Sequence, residues 1–261
     1  MLRPMSSPPV SPRPAVPAAP APAAQQSIFQ TAWQEWPRIS MAIALLLIAG
    51  MVDGVGFLHL SGLFVSFMSG NTSSLGLALV QGAEARVGTL LALIGSFAAG
   101  AFLGTLIELR AGQFHRSVIL VVEAALLLFF DVRNGDFMLL ALAMGMQNAS
   151  VRQVGSVAVT LTYATGYVVN VATRLAKGAL GQPREFARAL FLLTLWGSIL
   201  VGAAVGAYLY GRYEVRALWL PTGLLLLGAA LNLLPEFRND LPRPPRRFKL
   251  LALPRPPHLM R

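Results

Sequence analysis

Long apolar runs with few charges constrain what this chain can fold into. Eight hydrophobic segments follow one another between residues 39 and 234, and the 261-residue chain is 55% hydrophobic and 12% charged. Soluble domains carry roughly 25% charged residues, so this composition cannot cover a water-exposed surface. Helices satisfy every backbone polar group within hydrocarbon, so the sequence predicts an all-α integral membrane protein.

The eight segments differ in length. They lie at approximately 39–58, 63–81, 88–109, 117–131, 137–151, 154–176, 188–210 and 216–234. About 20 residues are needed to cross the hydrocarbon core, so the fourth and fifth segments are short and the other six are long enough. The tight connections at 60–62 and 152–153 either join full spans or mark the turns of re-entrant pairs. The prediction is six to eight helical segments, with broken or re-entrant helices as an alternative to full spans.

The membrane domain, residues 38–234, contains an internal repeat. Gly50 and Asp53 are matched 95 residues later by Gly145 and Asn148. A second pattern recurs at an offset of 102: Gly95, Gly100 and Gly104 return as Gly197, Gly202 and Gly206. We therefore expect two pseudo-symmetric halves, about 39–131 and 137–234, around a midplane interface. Three crossings in each half would make the repeats inverted, and four would make them parallel.

Asp53 is the most conspicuous polar residue, because it lies about fifteen residues into the first apolar segment. An ionisable side chain in hydrocarbon costs several kcal/mol by most estimates and is a functional hypothesis by default. One interpretation is a structural carboxyl, satisfied by Ser or Thr hydroxyls or by Arg152. The other is a proton or cation site. Asn148, its repeat counterpart, keeps the hydrogen-bonding capacity without the charge.

Hydroxyl and amide side chains cluster around Gly70 in the first half and Gly166 in the second. Such groups satisfy the backbone at a helix break, and they also offer donors and acceptors to a solute. The predicted substrate- or ion-binding residues are Asp53, Ser69, Asn71, Thr72, Asn148, Thr165 and Asn170. The alternative is hydrogen bonding between helices. Glu123 and Arg152 are secondary candidates, and an ion pair of Glu123 with Arg152 or Arg116 is its structural alternative.

No motif of known enzyme chemistry is present. The chain has no Cys, and His59, His115 and His258 are far apart in sequence, so the pattern predicts no metal site. It has no phosphate-binding loop ending in Lys-Ser/Thr, no nucleophile elbow and no His-Glu-x-x-His. We therefore predict no catalytic residue, no cofactor and no enzymatic activity.

The net charge of +10 lies mostly outside the apolar segments. Residues 1–38 carry +2, residues 39–234 carry +3, and residues 235–261 carry +5. Basic tails beside hydrophobic spans are typical of the positive-inside pattern rather than of nucleic-acid binding. We expect a multi-pass protein of the bacterial cytoplasmic membrane, with both termini and the 174–188 loop in the cytoplasm. Models with six and with eight crossings both obey the rule.

The two ends read as tails. Residues 1–37 are predicted to be a disordered Pro/Ala-rich segment whose last part, around Trp33 and Trp36, is an interfacial anchor. Residues 235–261 are predicted to be a basic, Pro/Arg-rich cytoplasmic tail.

Two pieces of the first half resemble the signature of a known family. Asp53-Gly54-Val55-Gly56-Phe57-Leu58, followed by Phe64-Val65-Ser66-Phe67-Met68-Ser69-Gly70-Asn71-Thr72, is similar to the YoaK family of uncharacterised bacterial membrane proteins. The resemblance covers about residues 40–234. It implies an all-helical inner-membrane protein of about six or more spans, and it implies no established activity.

The duplication and the paired polar breaks favour a small secondary transporter or permease of an unknown small solute, proton- or cation-coupled through Asp53. The alternative is a non-transporting scaffold or sensor in which a basic C-terminal tail recruits a partner or anionic lipid. Its basic residues are Arg243, Arg246, Arg247 and Lys249. The small-residue faces fit packing within the chain and a homo-oligomer equally well.

Overall fold

Eight α-helices make up most of the described structure. The computed structural model describes residues 28–132, 136–150, 153–154, 157–158 and 164–234. The helices are α1 (Ile28–His59), α2 (Met68–Val80), α3 (Glu84–Ala111), α4 (His115–Val132), α5 (Phe137–Ser150), α6 (Ala164–Ala179), α7 (Arg184–Tyr213) and α8 (Trp219–Leu231). Two antiparallel two-residue strands, β1 (Gln153–Val154) and β2 (Val157–Ala158), precede α6. The predicted all-α membrane fold is confirmed.

The chain divides into two compact units, residues 1–34 and 35–261. In the first unit the described part is the helical backbone from residue 28, where α1 begins. The second unit contains all the packing described below. Most of the predicted N-terminal tail, 1–27, and the predicted basic tail, 235–261, lie outside the described residues.

Three helical stretches are long and apolar enough to cross a membrane: Ile39–His59, Glu84–Asp131 and Arg184–Leu231. The second contains α3 and α4, joined by a 3₁₀ turn at Gly112–Phe114, and the third contains α7 and α8, joined by one at Glu214–Leu218. Both breaks have the same backbone form, with φ of 59° at Gly112 and 51° at Glu214. These residues are 102 apart, so the helix breaks follow the predicted repeat.

Three of the segments predicted to be long enough to span form shorter helices. Helices α2 and α8 have 13 residues each and α6 has 16. Before α2, residues 63–67 are not helical. In a short apolar run, periodicity does not distinguish a helix from an extended chain. The predicted helical segment therefore began at residue 63, whereas α2 begins at Met68.

Glycines on the first and third helices of opposite halves let their backbones touch. A Cβ atom at Gly50 in α1 would lie 2.9 Å from the amide nitrogen of Ala203 in α7. A Cβ atom at Gly145 in α5 would lie 2.9 Å from the amide nitrogen of Ala101 in α3. Gly145 follows Gly50 by 95 residues, and Ala203 follows Ala101 by 102. The two contacts are therefore equivalent, with the halves exchanged as in a pseudo-twofold arrangement.

Glycines on α7 and α3, the partner helices in these two contacts, show the same equivalence between the halves. Gly202 and Gly206 in α7 face the backbone of Leu47 and Met51 in α1. In the other pair, Gly100 and Gly104 in α3 face the backbone of Leu142 and Met146 in α5. Residue numbers rise together in both pairs, so α1 runs parallel to α7 and α3 runs parallel to α5. Of the two roles left open for the small-residue faces, these glycines serve packing within the chain.

The last helices of the two halves, α4 and α8, run antiparallel. The hydroxyl of Ser117, near the start of α4, donates to the carbonyl oxygen of Ala229, near the end of α8, at 3.1 Å. At the other end, Trp219 Nε1 donates to Asp131 Oδ2 at 3.3 Å. Because α4 and α8 are equivalent by the repeat, the pseudo-twofold axis lies across these two helices rather than along them.

Candidate functional site

A short non-helical segment, residues 60–67, interrupts the first half between α1 and α2. Its second and third residues have positive φ, Ser61 at 51° and Gly62 at 97°. Leu63, Val65 and Ser66 are buried. The Leu60 and Gly62 amides still donate to carbonyl oxygens of α1. The amides of residues 64–66 have no helical acceptor, so buried side chains must satisfy them in an apolar surrounding.

Asp53 satisfies one part of this segment. The backbone nitrogens of Val65 and Ser66 donate to Asp53 Oδ1 at 2.9 and 2.8 Å, and the Ser66 hydroxyl donates to Oδ2. The carboxyl group is buried, with 2% of the residue exposed. Both of its oxygens have donors, so the carboxyl fastens the extended segment to α1. This arrangement matches the structural interpretation of Asp53, with Ser66 in place of Arg152.

Asn71 satisfies the other part from the first turn of α2. The Phe64 amide donates to Asn71 Oδ1 at 3.3 Å, and Asn71 Nδ2 donates to the Phe64 carbonyl oxygen at 2.5 Å. The Asn71 side chain is buried, so its two hydrogen bonds take the place of water on both the amide and the carbonyl group of Phe64. Asp53 and Asn71 together hold residues 64–66 from the two flanking helices.

The other predicted binding residues do not join this cluster. Thr72 donates to the Met68 carbonyl at 2.8 Å, and Asn170 donates to the Gly166 carbonyl at 2.8 Å, one turn back on the same helix. Both are exposed, as are Ser69 and Thr165. Asn148 makes a similar bond to the Met144 carbonyl at 3.2 Å. Asp53 and Asn71 are thus the two members of the predicted set that the fold brings together.

The secondary candidates separate. Glu123, in the middle of α4, is 0% exposed, and neither of its carboxyl oxygens has a hydrogen-bond partner among the described residues. Arg152 lies outside those residues. The alternative of an ion pair between Glu123 and Arg116 is wrong. The two lie about 10 Å apart along the axis of α4, and no hydrogen bond joins them.

Two buried polar residues were missing from the predicted site. Ser66 is the hydroxyl donor to Asp53. Gln147 in α5 donates to the Leu45 carbonyl of α1 at 3.2 Å, and so links the first helices of the two halves. The sequence indicated Ser66 by its place in the hydroxyl cluster. Gln147 was not predicted, because its neighbour Asn148 is the residue that follows Asp53 by the repeat offset of 95 residues.

A cavity of about 520 Å³ lies between α3, α4 and α5. The described residues that line it are almost entirely hydrocarbon, including Leu106, Val122 and Met146, and Arg110 is the one charged residue among them. None of the predicted binding residues contributes to it. Its chemistry fits an acyl chain better than a polar solute. No group of three His, Asp or Glu side chains that could hold a metal ion occurs in the described ranges.

Comparisons with known proteins agree with the apolar helices. The model of a family described as protein of unknown function (DUF1275) matches residues 41–231. The UPF0700 transmembrane protein RA0705 of Rhizobium meliloti is 34% identical over 75% of this chain and 87% of its own length. The UPF0700 transmembrane protein YoaK of Bacillus subtilis is 28% identical over 72% of this chain and 91% of its own length.

No solved structure matches the chain. The family model covers most of the predicted membrane domain, and the relatives are named as transmembrane proteins. The resemblance expected from the Asp53 and Asn71 motifs is confirmed, and the chain belongs to the DUF1275 family of membrane proteins.

Proposed function

We propose that this protein is a small secondary transporter of a small solute or ion, without enzymatic activity, in the bacterial cytoplasmic membrane. The observation that carries the proposal is the exchange of contacts between the halves, combined with the antiparallel α4–α8 pair. If α4 and α8 both cross the bilayer, the axis that relates them lies in the membrane plane. Inverted halves of this kind can open to either side by equivalent movements.

This symmetry favours six crossings, three in each half. Helix α2 and its partner α6 would then be the helical arms of re-entrant elements, with residues 60–67 before α2 and the strands β1 and β2 before α6. The turn at Gly112–Phe114, beside Arg110 and Arg116, would face the cytoplasm together with the Arg174–Arg188 region. Both termini would also be cytoplasmic, in agreement with the positive-inside rule.

Coupling through Asp53 stays a prediction. The hydrogen bonds to Val65 and Ser66 favour a different task for this carboxyl, which is to hold the re-entrant segment against α1. The alternative of a scaffold or sensor depends on residues 235–261, which lie outside the described residues.

Two-sided accessibility of one midplane residue tests transport without knowledge of the substrate. Ser198 lies at the middle of α7, is buried, and differs from Cys by one atom. In this Cys-free chain we expect Ser198→Cys to react with a membrane-impermeant maleimide in right-side-out and in inside-out vesicles, because alternating access exposes the midplane to each side in turn.

The control is Leu90→Cys, which is fully buried in a separate apolar cluster formed mainly by α2 and α3 and should react from neither side. Labelling of Ser198→Cys from neither side, or from one side alone, would contradict alternating access.

A further inference from the structure

Glu123 is a buried acid that no described contact explains. It lies midway along α4, and its helical neighbours Leu120, Ala124 and Leu127 are buried hydrocarbon. Both carboxyl oxygens lack a hydrogen-bond partner among the described residues. Asp53, by contrast, has donors on both oxygens. None of the described residues neutralises this carboxyl group, and an unpaired carboxylate in hydrocarbon costs several kcal/mol.

The helices packed against α4 bring no counter-charge to its middle. Helices α5 and α8 contain no ionisable residue. The ionisable residues of the other neighbouring elements lie toward their ends. They are Glu84, Arg86, Glu108 and Arg110 of α3, Glu214 and Arg216 of the turn before α8, His115, Arg116 and Asp131 of α4, and Glu35, Arg38, Asp53 and His59 of α1. No ion pair joins Glu123 to the described side chains among them.

Glu123 also lies near the pseudo-twofold axis that relates the two halves. Ser117 meets Ala229 at one end of the antiparallel pair, and Asp131 meets Trp219 at the other. Between these contacts the register places Glu123 across from Leu225, which is fully buried. Leu225 follows Glu123 by 102 residues and is therefore its repeat counterpart. The acid lies near the axis about which the two halves would move.

The surroundings select the ligand. A dehydrated metal cation needs several oxygen ligands at once, and the buried neighbours of Glu123 offer methyl and methylene groups instead. A proton needs one carboxylate oxygen and removes the whole charge.

We propose that Glu123 binds the proton that couples the two halves of the transport cycle, an inference that rests on the proposed function. The carboxylate takes a proton from water when the interface is open to one side, is carried as the neutral acid when closed, and releases the proton to water on the other side.

Infrared difference spectroscopy of the full-length protein in proteoliposomes tests the site itself. Between neutral and alkaline pH exposed carboxyls stay ionised, so few groups contribute. We expect the C=O band of a protonated carboxyl to disappear at alkaline pH in the wild type and in Glu84→Gln, whose side chain is exposed. The band should be missing from Glu123→Gln. A wild type without such a band, or a Glu123→Gln spectrum that keeps it, would overturn the proposal.

A second readout tests coupling. In the Ser198→Cys background, the ratio of maleimide labelling from one side to labelling from the other cancels the pH dependence of the thiol itself. This ratio should change by up to about tenfold per pH unit, the limit for one proton, and Glu123→Gln should abolish its pH dependence. Retained pH dependence in Glu123→Gln would overturn the proposal. If Ser198→Cys is not labelled from both sides, the proposed transport function fails instead. An infrared band that depends on Glu123 would then still support the proton site.

Discussion

Replacement of Asp53 by alanine is expected to lower the melting temperature of the purified protein by about 10 °C, or to prevent its accumulation in the membrane. The variant would leave the buried amides of Val65 and Ser66 without acceptors. Each unsatisfied group costs about 1–3 kcal/mol, and a chain of this size loses roughly 2–4 °C per kcal/mol.

Conservative and matched variants separate this role from a role in coupling. Asp53→Asn keeps one carbonyl oxygen for the two amides and should melt close to the wild type. Asn170→Ala removes an exposed side chain whose recorded bond stays within its own helix, and should change little. An Asp53→Ala protein as stable as the wild type would contradict the structural role of this carboxyl.

Alanine substitutions of glycines on one helix are expected to give opposite results. A Cβ atom at Gly206 would overlap the backbone of Met51, and α1 cannot move aside without leaving α7. Overpacking of this kind costs about 1–3 kcal/mol. At Gly197, nine residues earlier on α7, a Cβ atom would meet nothing within 4 Å, so Gly197→Ala should be neutral or stabilising by up to about 1 kcal/mol.

The same pair of results is expected in the other half, which makes the measurement a test of the repeat. Gly104→Ala would crowd the backbone of Met146, whereas Gly95→Ala would meet open space. Thermal unfolding in detergent compares all four variants. Equal effects at Gly206 and Gly197 would contradict the close α1–α7 approach.

The architecture was largely predictable from the sequence, because membrane helices are encoded locally. Apolar runs predicted the helical segments, and the offsets of 95 and 102 predicted the repeat that relates the α1–α7 contact to the α5–α3 contact. The direction of α4 relative to α8 was not predictable. It depends on contacts such as Ser117 with Ala229, which are 112 residues apart.

The candidate site was predicted less well than the fold. Asp53 and Asn71 stood out because each is a polar residue within an apolar run. Their partners are mainly backbone groups of residues 64–66, and a sequence does not show which backbone groups will lack a helix. Ser69 and Thr72 belong to the same polar cluster in sequence, but the helical rotation of α2 directs them away from Asn71. Glu123 ranked second because an ion pair with an arginine could have explained it.

Topology mapping tests inverted repeats most directly. Single Cys residues at Glu84, Gln113 and Asn134 in this Cys-free chain can be labelled from the periplasmic side of intact cells. Inverted halves with six crossings predict that positions 84 and 134 react and that position 113 does not. Labelling at 113, with none at 84 and 134, would mean eight crossings in parallel repeats, and would contradict the transport mechanism proposed from the α4–α8 pair.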